Sequence, residues 1–360
     1  MRAIVLNRWL ESLYKENPLE GSVDLLIMIR SLRWGLLSLS LLFFSMLSMP
    51  LRAQQLYTSP ITVQYTDGKV SYFDTLDEAF MALKAGCVVY IPSGSYTLSS
   101  KEETKVKCQV AIYGAGCRPY GKDTDYTRIT GDIILKEGAS SSIIMGLRSE
   151  SHIYVEANVK NILIKNVDVN YISFSSESNT GCVVTSSVIR YSVSGNGKAP
   201  VQVTNCLAGY IGGIKGGEIA NCILRGGGYS YSNYNWSYSS LLRNNIGLSM
   251  TNGKSISNCQ EECNMVGAQP QIPYPSGGLE ALFEKYDASD PFNLSKNNYR
   301  LKKGVSGTNA GTDGKDIGLY GGSGFDDSGR APIPKIKIRE IAPQTDEQDR
   351  LKVKIEVIAN

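Results

Sequence analysis

A short pattern of apolar and small residues recurs along the chain and is most regular between Lys160 and Cys263. Each copy has an apolar residue, one intervening residue, a small or amide residue, and then another small or apolar residue. The small or amide residues of successive copies are Gly94, Gly114, Gly131, Gly146, Asn166, Ser187, Asn205, Asn221, Asn244 and Asn258. They lie about 18 residues apart, the length of one solenoid coil made of three short strands and three turns. The pattern predicts a parallel β-helix of about nine or ten such coils.

Two columns of side chains are predicted to face the interior of this solenoid. The first column stands two positions before each small or amide residue: Ile112, Ile129, Ile144, Ile164, Thr185, Val203, Ile219, Leu242 and Ile256. The second stands one position after it: Leu147, Val167, Val188, Cys206, Cys222 and Cys259. We therefore expect the three cysteines of the second column to be core thiols. The asparagines are expected to adopt left-handed backbone and to hydrogen-bond backbone at the turn or the next asparagine in a ladder.

A β-hairpin and a short helix are predicted before the first coil. Asp67-Gly68 lies between the alternating segments 62–65 and 70–73, which is typical of a hairpin with a two-residue turn. A capping box at Thr75 and apolar residues at helical spacing then predict a helix over residues 76–85. We expect this helix to cover the open end of the solenoid, where a strand edge would otherwise be exposed.

Both ends of the solenoid region resemble a known family. A helix followed by Ile91-Pro92-Ser93-Gly94-Ser95-Tyr96 is similar to the entry of secreted right-handed parallel β-helix proteins, the pectate-lyase-like superfamily. Segments 290–294, 298–302 and 311–322 resemble the closing segment of secreted bacterial β-helix proteins, and the tail after residue 335 resembles the ends of such proteins from Bacteroidetes. The resemblance implies an all-β, right-handed parallel β-helix with a short N-terminal capping helix. Alternating apolar and charged residues over 335–341 and 351–358 predict a C-terminal β-hairpin after it. The family includes polysaccharide lyases, glycoside hydrolases and adhesins, so it implies no single activity.

The ends of the chain complete the predicted domain plan. Arg30 and Arg33 precede an apolar run and then Pro50, which is typical of a secretory signal peptide. We therefore expect export to the extracellular space or outer cell surface, with the periplasm as an alternative, and no membrane span in the mature chain. The predicted units are a leader at 1–53 with its signal peptide at 28–53, a β-helix domain at 54–325, a linker at 326–334 and a β-hairpin at 335–360.

Composition narrows the function classes only slightly. The 360 residues are 42% hydrophobic, and their net charge of +3 contains no strongly basic block, so nucleic acid is an unexpected partner. The strongest candidate for function is an aromatic insertion over residues 226–238, which interrupts a coil. Its five aromatic residues are Tyr229, Tyr231, Tyr234, Trp236 and Tyr238. Such rings, placed among Ser and Asn, are suited to stacking on sugars, although the insertion folding back over the coil is an equal alternative.

Catalytic and metal chemistry receive weaker support. Glu150, His152 and Glu156 could form an acid/base cluster, but a solvent-facing turn is the better interpretation. Asp132 and Asp168 do not share a position in the repeat, as a pair of catalytic carboxylates would have to. Arg118 is the nearest match in the sequence to the catalytic arginine of a polysaccharide lyase. No catalytic residue is assigned.

Neither a metal nor a cofactor is expected. The chain has one histidine, far in sequence from any cysteine pair. Calcium at Asp313, Asp316, Asp326 and Asp327 is considered, but Asp-Gly turns account for the first two. Local disulfides, Cys108 with Cys117 and Cys259 with Cys263, stay open. The leading hypothesis is an exported protein that binds a glycan or surface without catalysis. The alternatives are a polysaccharide lyase or glycoside hydrolase, and a structural spacer or adhesin stalk.

Overall fold

A computed structural model describes residues 60–121, 125–225, 237–238, 240–249, 256–332, 335–345 and 351–358. The predicted leader, residues 1–53, lies outside the described residues. Two short helices are described, α1 (Leu76–Met81) and α2 (Gly278–Leu282), with one 3₁₀ turn at Glu102–Thr104. Neither helix has the length and hydropathy that crossing a bilayer requires, and no other helix is present in the described residues.

Strands make up almost all of the remaining regular structure. In chain order they are β1 (Ile61–Gln64), β2 (Val70–Phe73), β3 (Cys87–Ile91), β4 (Gly94–Thr97), β5 (Val110–Gly114), β6 (Thr127–Thr130), β7 (Ile133–Leu135), β8 (Ile143–Val155), β9 (Leu163–Phe174), β10 (Val183–Thr185), β11 (Val188–Ser194), β12 (Gln202–Thr204), β13 (Leu207–Gly212), β14 (Ile214–Lys215), β15 (Glu218–Ala220), β16 (Ile223–Leu224), β17 (Ser237–Tyr238), β18 (Leu241–Arg243), β19 (Ile246–Gly247), β20 (Ile256–Ser257), β21 (Gln260–Glu262), β22 (Phe283–Lys285), β23 (Asn298–Leu301), β24 (Lys335–Thr345) and β25 (Leu351–Ile358).

The strands form a parallel β-solenoid of about 8 turns, which confirms the predicted all-β fold class. Three faces are stacked along it. The first face runs β3, β5, β8, β9, β10, β12, β15, β18, β21. The second runs β4, β6, β8, β9, β11, β13, β16, β19. The third runs β7, β8, β9, β11, β13. The long strands β8 and β9 bend through all three faces.

The coil register differs from the predicted one in its first turns. Ile112 pairs directly with Ile144 on the first face, and Ile129 lies on the second face opposite Ser149. All three isoleucines are fully buried, as predicted. Gly131 therefore marks a turn within a coil and does not begin a new one. The coil that starts at β5 contains an inserted segment before β6, which makes it longer than its neighbours and reduces the coil number from the predicted nine or ten.

Two further positions in the predicted columns are wrong by one residue. Val184, and not Thr185, pairs with Ile164 and is fully buried. The left-handed residue of this coil is Ser186, with φ 48°, and not Ser187. Val188 pairs with Asp168 and faces outward. A shift of one residue moves every side chain of a strand to the other surface of the sheet. The error of one residue in the predicted register therefore exchanged the inward and outward positions of this coil.

The last coil also differs from its prediction. Glu262 pairs with Arg243, so the left-handed residue of this coil is Cys263, with φ 53°, while Asn258 follows β20 in a different turn. Cys259 is half-buried and lies outside the predicted column, whereas Cys206 and Cys222 are fully buried thiols, as expected.

Asparagines replace the cysteines of that column in the last two coils. Asn245 donates to the Ile219 carbonyl at 2.8 Å, and Asn264 donates to the Leu242 carbonyl at 2.7 Å. The Asn245 and Asn264 side chains are also hydrogen-bonded to each other at 3.0 Å. Because buried amides are costly unless they are satisfied, this ladder fits the interior only through these bonds.

One of the two predicted arrangements was a ladder in which the left-handed asparagines bond to one another. The described left-handed asparagines do not form this ladder. They hold the C-terminal segment 311–331, which we call the strap. Thr312 donates its backbone N–H to Asn244 at 3.0 Å, and Asn205 donates to the Leu319 and Gly321 carbonyls at 3.0 and 2.7 Å. Asn166 donates to Asp326 Oδ2 and the Arg330 carbonyl, both at 2.6 Å. The strap therefore runs back along the solenoid from its last coils towards its first.

A second apolar core lies outside the coils. The outer row of the second face consists of Arg128, Arg148, Asp168, Val188, Leu207, Ile223 and Ile246, one from each coil in register. The last four are buried and pack in one cluster with Leu282, Phe283, Phe292, Tyr299, Ile317, Leu319 and Phe325 of the C-terminal segment. The side of the solenoid is thus covered over its last coils and open over its first.

The terminal elements agree with several predictions. β1 pairs antiparallel with β2 across a turn at Gly68, and also with β3 of the first coil. α1 begins at the predicted capping box of Thr75 and Glu78, ends at Met81, and buries Leu76, Ala79 and Phe80. β24 and β25 form the predicted antiparallel hairpin. Its expected packing against the solenoid stays a prediction.

The predicted linker is partly packed. Arg330 and Ala331 are buried, and a Cβ on Gly146 would lie 2.7 Å from the Ala331 nitrogen. The strap therefore contacts the solenoid closely as far as Ala331.

Candidate functional site

A groove of about 790 Å³ opens where the outer row changes from apolar to charged residues. Arg148 and Asp168 of the second face, with Arg190 at the corner that follows it, form its floor, and Val188 is its inner limit. One wall is the loop that follows β5, around Arg118 and Tyr120. The other wall comes from the C-terminal segment and includes Lys285, Asp290, Phe292, Asn293, Arg300, Tyr320 and Asp327. Five separate stretches of the chain thus meet in one site.

The floor of the groove has one tightly paired arginine and one loosely held arginine. Arg190 binds Asp168 through two bonds, Nε to Oδ1 at 2.9 Å and Nη2 to Oδ2 at 2.8 Å. Arg148 lies 3.6 Å from the Glu150 carboxylate, and its buried Nε has no hydrogen-bond partner within the described structure. Arg148 is therefore the floor residue with hydrogen-bonding capacity left for a ligand.

The C-terminal wall is held rigid by interlocked side chains. The Arg300 guanidinium lies over the Tyr320 ring at 3.8 Å and pairs with Asp327 at 2.8 Å. Tyr320 donates its hydroxyl proton to the same carboxylate at 2.6 Å. Burial, with the Asp327 charge adding to it, raises the pKa of Tyr320 well above its ordinary value, so the hydroxyl stays a donor.

The opposite wall is tied to the strap through Arg118. This arginine donates to the Asp326 and Asp327 carbonyls at 2.7 and 3.3 Å and packs on the Phe325 ring at 4.8 Å. The neighbouring Tyr120 is 50% exposed at the rim. Arg118, the nearest sequence match to a lyase arginine, is thus engaged in joining the walls.

Positive charge exceeds negative charge in the groove. Arg118, Arg148, Arg190, Lys285 and Arg300 line it, against Asp168, Asp290 and Asp327. Each of the three carboxylates is already engaged: Asp168 by Arg190, Asp327 by Arg300, and Asp290 by Asn293 at 3.1 Å and Lys296 at 3.8 Å. Lys285 is exposed and has no carboxylate partner among the described residues. The arrangement favours an anionic ligand.

The acid/base cluster considered for Glu150, His152 and Glu156 is taken up by separate ion pairs. Glu150 accepts from Arg128 at 2.7 Å, and this bond lowers the pKa of Glu150. Glu156 lies 3.9 Å from Lys136, and His152 Nδ1 lies 3.5 Å from Asp132. His152 is half-buried in the strand β8, so the predicted solvent-facing turn is wrong at this residue.

The acids considered for calcium are also engaged by hydrogen bonds from other residues of the chain. Asp313 accepts from the Lys315 backbone, and Asp316 accepts from the Asn309 backbone. Asp326 accepts from Ser328 and Asn166. Across the described residues, no group of three or more His, Cys, Asp or Glu side chains is arranged to hold a metal ion.

Neither of the two local disulfides left open is formed. Cys108, Cys117 and Cys263 are free thiols, so Cys263 has no bridge to Cys259. Burial raises the pKa of Cys117 to about 12, which makes it unreactive despite the neighbouring Arg118.

Most of the aromatic insertion lies beyond what the structure describes. Tyr229, Tyr231, Tyr234 and Trp236 lie outside the described residues. Of Tyr238 only the backbone is described, in β17, which pairs with β14 and β20. The insertion follows Arg225, whose guanidinium lies 5.7 Å from the Phe292 ring of the groove.

The groove itself was not anticipated from the sequence. Its residues come from five separate stretches, around Arg118, Arg148, Asp168, Arg190 and the closing segment, with no local motif among them. The one available signal was the change from charge to apolar residues along the outer row. Recognising that signal in the sequence requires the correct coil register.

No protein-family model matches this chain, and neither a curated protein nor a solved structure matches it. The parallel β-solenoid therefore stands on the structure alone. The resemblance to the pectate-lyase-like superfamily and to Bacteroidetes proteins stays a prediction.

Proposed function

We propose that this chain is an exported protein that binds an acidic polysaccharide in the groove and does not cleave it. The observation that carries the proposal is the excess of arginine and lysine over aspartate, with every groove carboxylate already paired. Arginine and lysine bind carboxylate and sulfate groups through charge-assisted hydrogen bonds. Arg190 and Arg300 bind carboxylates and Arg118 binds carbonyls of the strap, so Arg148 and Lys285 are the least engaged groove cations and are the proposed ligand contacts.

A role without catalysis is supported by the state of the acids. Glycoside hydrolysis uses two carboxylates, one of which must carry a transferable proton. Asp168 and Asp327 are each held in an ion pair with an arginine at 2.8 Å, so neither carboxylate is free to act on a bound sugar. A lyase or hydrolase is the alternative, and a structural spacer is the remaining one.

The aromatic insertion is proposed as a second contact for the same ligand. Arg225 directly precedes the insertion in sequence, and its guanidinium lies 5.7 Å from the Phe292 ring of the groove. Aromatic rings add stacking area that a row of cations lacks. Alanine at Tyr231, Tyr234 and Trp236 together is expected to weaken binding, and unchanged binding would remove the insertion from the proposal.

Export is proposed from the leader sequence. Expression in a secreting bacterial host is expected to release a chain that begins near Gln54, as N-terminal sequencing of the medium would show. A chain that retains residues 28–53 and stays in the cell contradicts export.

The binding test compares acidic and neutral polymers. We expect the chain from Gln54 onward to bind alginate and dextran sulfate but not uncharged dextran, with affinity that falls as salt is added. Arg148→Ala and Lys285→Ala should each weaken binding by about tenfold, because each removes a charge-assisted contact. Lys198→Ala is the matched control, since Lys198 is exposed on the turn after the third face.

Isothermal titration calorimetry measures the affinities, and circular dichroism confirms that each variant is folded. Equal binding of dextran, or unchanged affinity in both groove variants, contradicts the proposal. Duplex DNA bound as tightly as dextran sulfate would replace the polysaccharide with a general polyanion. New reducing ends or unsaturated products would establish the enzymatic alternative.

A further inference from the structure

An aromatic stack lies on the third face, around the corner of the solenoid from the groove. His152 lies between Tyr154 at 4.9 Å and Tyr171 at 4.3 Å, with ring planes within 11° and 8° of parallel. Tyr191 stacks on Tyr171 at 4.8 Å and 13°. The spacing follows the coil repeat, since His152 and Tyr171 pair in register across β8 and β9. Among the residues that the structure describes, the stack ends at Tyr191.

Tyr191 has an open ring face. Its side chain is 55% exposed although Tyr171 covers one side, so the other side meets solvent. The corresponding corner of the next coil is Gly209, which carries no side chain. A Cβ at Gly209 would lie 2.4 Å from the Tyr191 carbonyl oxygen, so a larger residue does not fit there. Gly209 therefore places no side chain beside the Tyr191 ring.

A β-bulge places Tyr191 beside the groove. Between Ile189 and Ser192 the register shifts against both neighbouring strands, because β11 has one more residue at this corner. The extra residue lets two consecutive side chains leave the corner in different directions. Arg190 reaches Asp168 in the groove floor, and Tyr191 joins the stack. Bulges commonly re-aim side chains in this way next to binding sites.

We propose that the open face of Tyr191 is a stacking subsite for one pyranose ring of the acidic polysaccharide that the groove binds. The inference rests on the proposed function and extends it around the corner of the solenoid. The sugar would place its C–H face on Tyr191 while an acidic group of a neighbouring unit contacts the groove cations. The stack of rings behind Tyr191 holds its ring in place, so little rotamer entropy is lost on binding.

The test uses alginate oligosaccharides of two lengths, one short enough to fill the groove alone and one long enough to turn the corner. Tyr191→Ala should weaken binding of the long oligosaccharide about tenfold and leave the short one unchanged. Tyr191→Phe, which keeps the ring, should restore binding to within about twofold of the original. Tyr72→Ala is the control, because Tyr72 is 67% exposed on the hairpin before the first coil.

Proton NMR gives a readout specific to stacking. Sugar C–H protons over a ring face shift upfield, and this shift should be present with Tyr191→Phe and absent with Tyr191→Ala. Equal affinity of Tyr191→Ala and the original chain for the long oligosaccharide, while Arg148→Ala weakens both lengths, overturns the subsite and leaves the groove intact. If Arg148→Ala leaves both lengths unaffected, the proposed function fails first.

Discussion

The two halves of the outer row share one backbone and have opposite roles. Val188, Leu207, Ile223 and Ile246 are buried beneath the C-terminal segment, while Arg128 and Arg148 are only half-buried and remain accessible. Asp168 lies at the border and is 4% exposed. The coils are equivalent in register, so side chains alone decide which coils are covered. The groove opens where the apolar half of the row ends.

This contrast explains how a repetitive fold acquires a single site. The interior rows repeat from coil to coil, because each must fill the same space with aliphatic side chains. The outer row has no such requirement until another segment packs on it. A solenoid can therefore place one groove anywhere along its length by changing a few outward residues.

Exchanging apolar and charged residues between the two halves of the outer row should have the largest effect, and that effect is on the free energy of unfolding. Ile223→Arg buries an unpaired charge beneath the C-terminal segment and should lower the free energy of unfolding by about 3–5 kcal/mol. Arg148→Leu, the reverse change in the open half, should alter it by less than about 1 kcal/mol. Urea unfolding followed by circular dichroism measures both. Equal losses in the two variants would show that the halves do not differ in burial.

Releasing the strap should have the next largest effect. Asn205→Gly keeps the left-handed backbone but loses three bonds to the strap, including the one that Ser323 Oγ donates at 3.0 Å, so it should cost about 2 kcal/mol. Asn205→Ala adds the left-handed strain and should cost about 3 kcal/mol. Both values come from the same urea experiment.

Asn196→Ala is the control for the strap variants, since Asn196 has φ 51° and is exposed. It should cost only the strain, about 1 kcal/mol. Limited proteolysis should cut after residue 311 faster in the Asn205 variants. An unchanged rate would mean that the strap is held by the apolar cluster alone.

Removing the charge of Glu150, beside the open half of the outer row, should have the smallest effect, and that effect is on ligand binding. Glu150→Gln removes a carboxylate next to Arg128 and Arg148 and should tighten dextran sulfate binding by about twofold to fivefold, as expected for one charge at about 5–10 Å in water. The Arg128 bond lowers the pKa of Glu150 below its ordinary 4.5, so Glu150 stays charged at that pH.

The same glutamate predicts a pH dependence. Glu150 loses its charge only as pH falls through its lowered pKa, and binding of dextran sulfate should tighten there, because the sulfates stay ionised. Glu150→Gln should remove this step while leaving the rest of the pH profile in place. A profile identical in both proteins would place Glu150 too far from the ligand to affect it.

The sequence predicted the solenoid because its interior repeats. Ile112, Ile144, Ile164 and Ile219 face inward as expected, since aliphatic residues that recur at coil spacing stack on one another inside a solenoid. The prediction failed at Thr185, where Val184 takes the inward position, because alternating apolar residues fit either of two adjacent registers. It also failed at Cys259, because the spacing of the repeat becomes irregular after Leu224.

The predicted site and the observed one come from different kinds of signal. The aromatic insertion was identified as a break in the repeat, which is a local feature. The groove needs Arg118, Arg148 and Arg300 together, and they are brought together only when the strap runs back along the coils. No pattern in the sequence relates the strap to the left-handed asparagines until both are placed in space.

The sequence by itself determined the coil, its inward aliphatic rows, the capped first coil and the hairpin at residues 335–360. These features depend on contacts between neighbours in the chain or between equivalent positions of adjacent coils, which periodicity reveals. Only the tertiary structure decided which outward residues are covered, where the groove opens and which arginines remain accessible. Those features depend on contacts between residues more than a hundred positions apart, such as Arg118 with Asp326, and on the path of a segment that does not repeat.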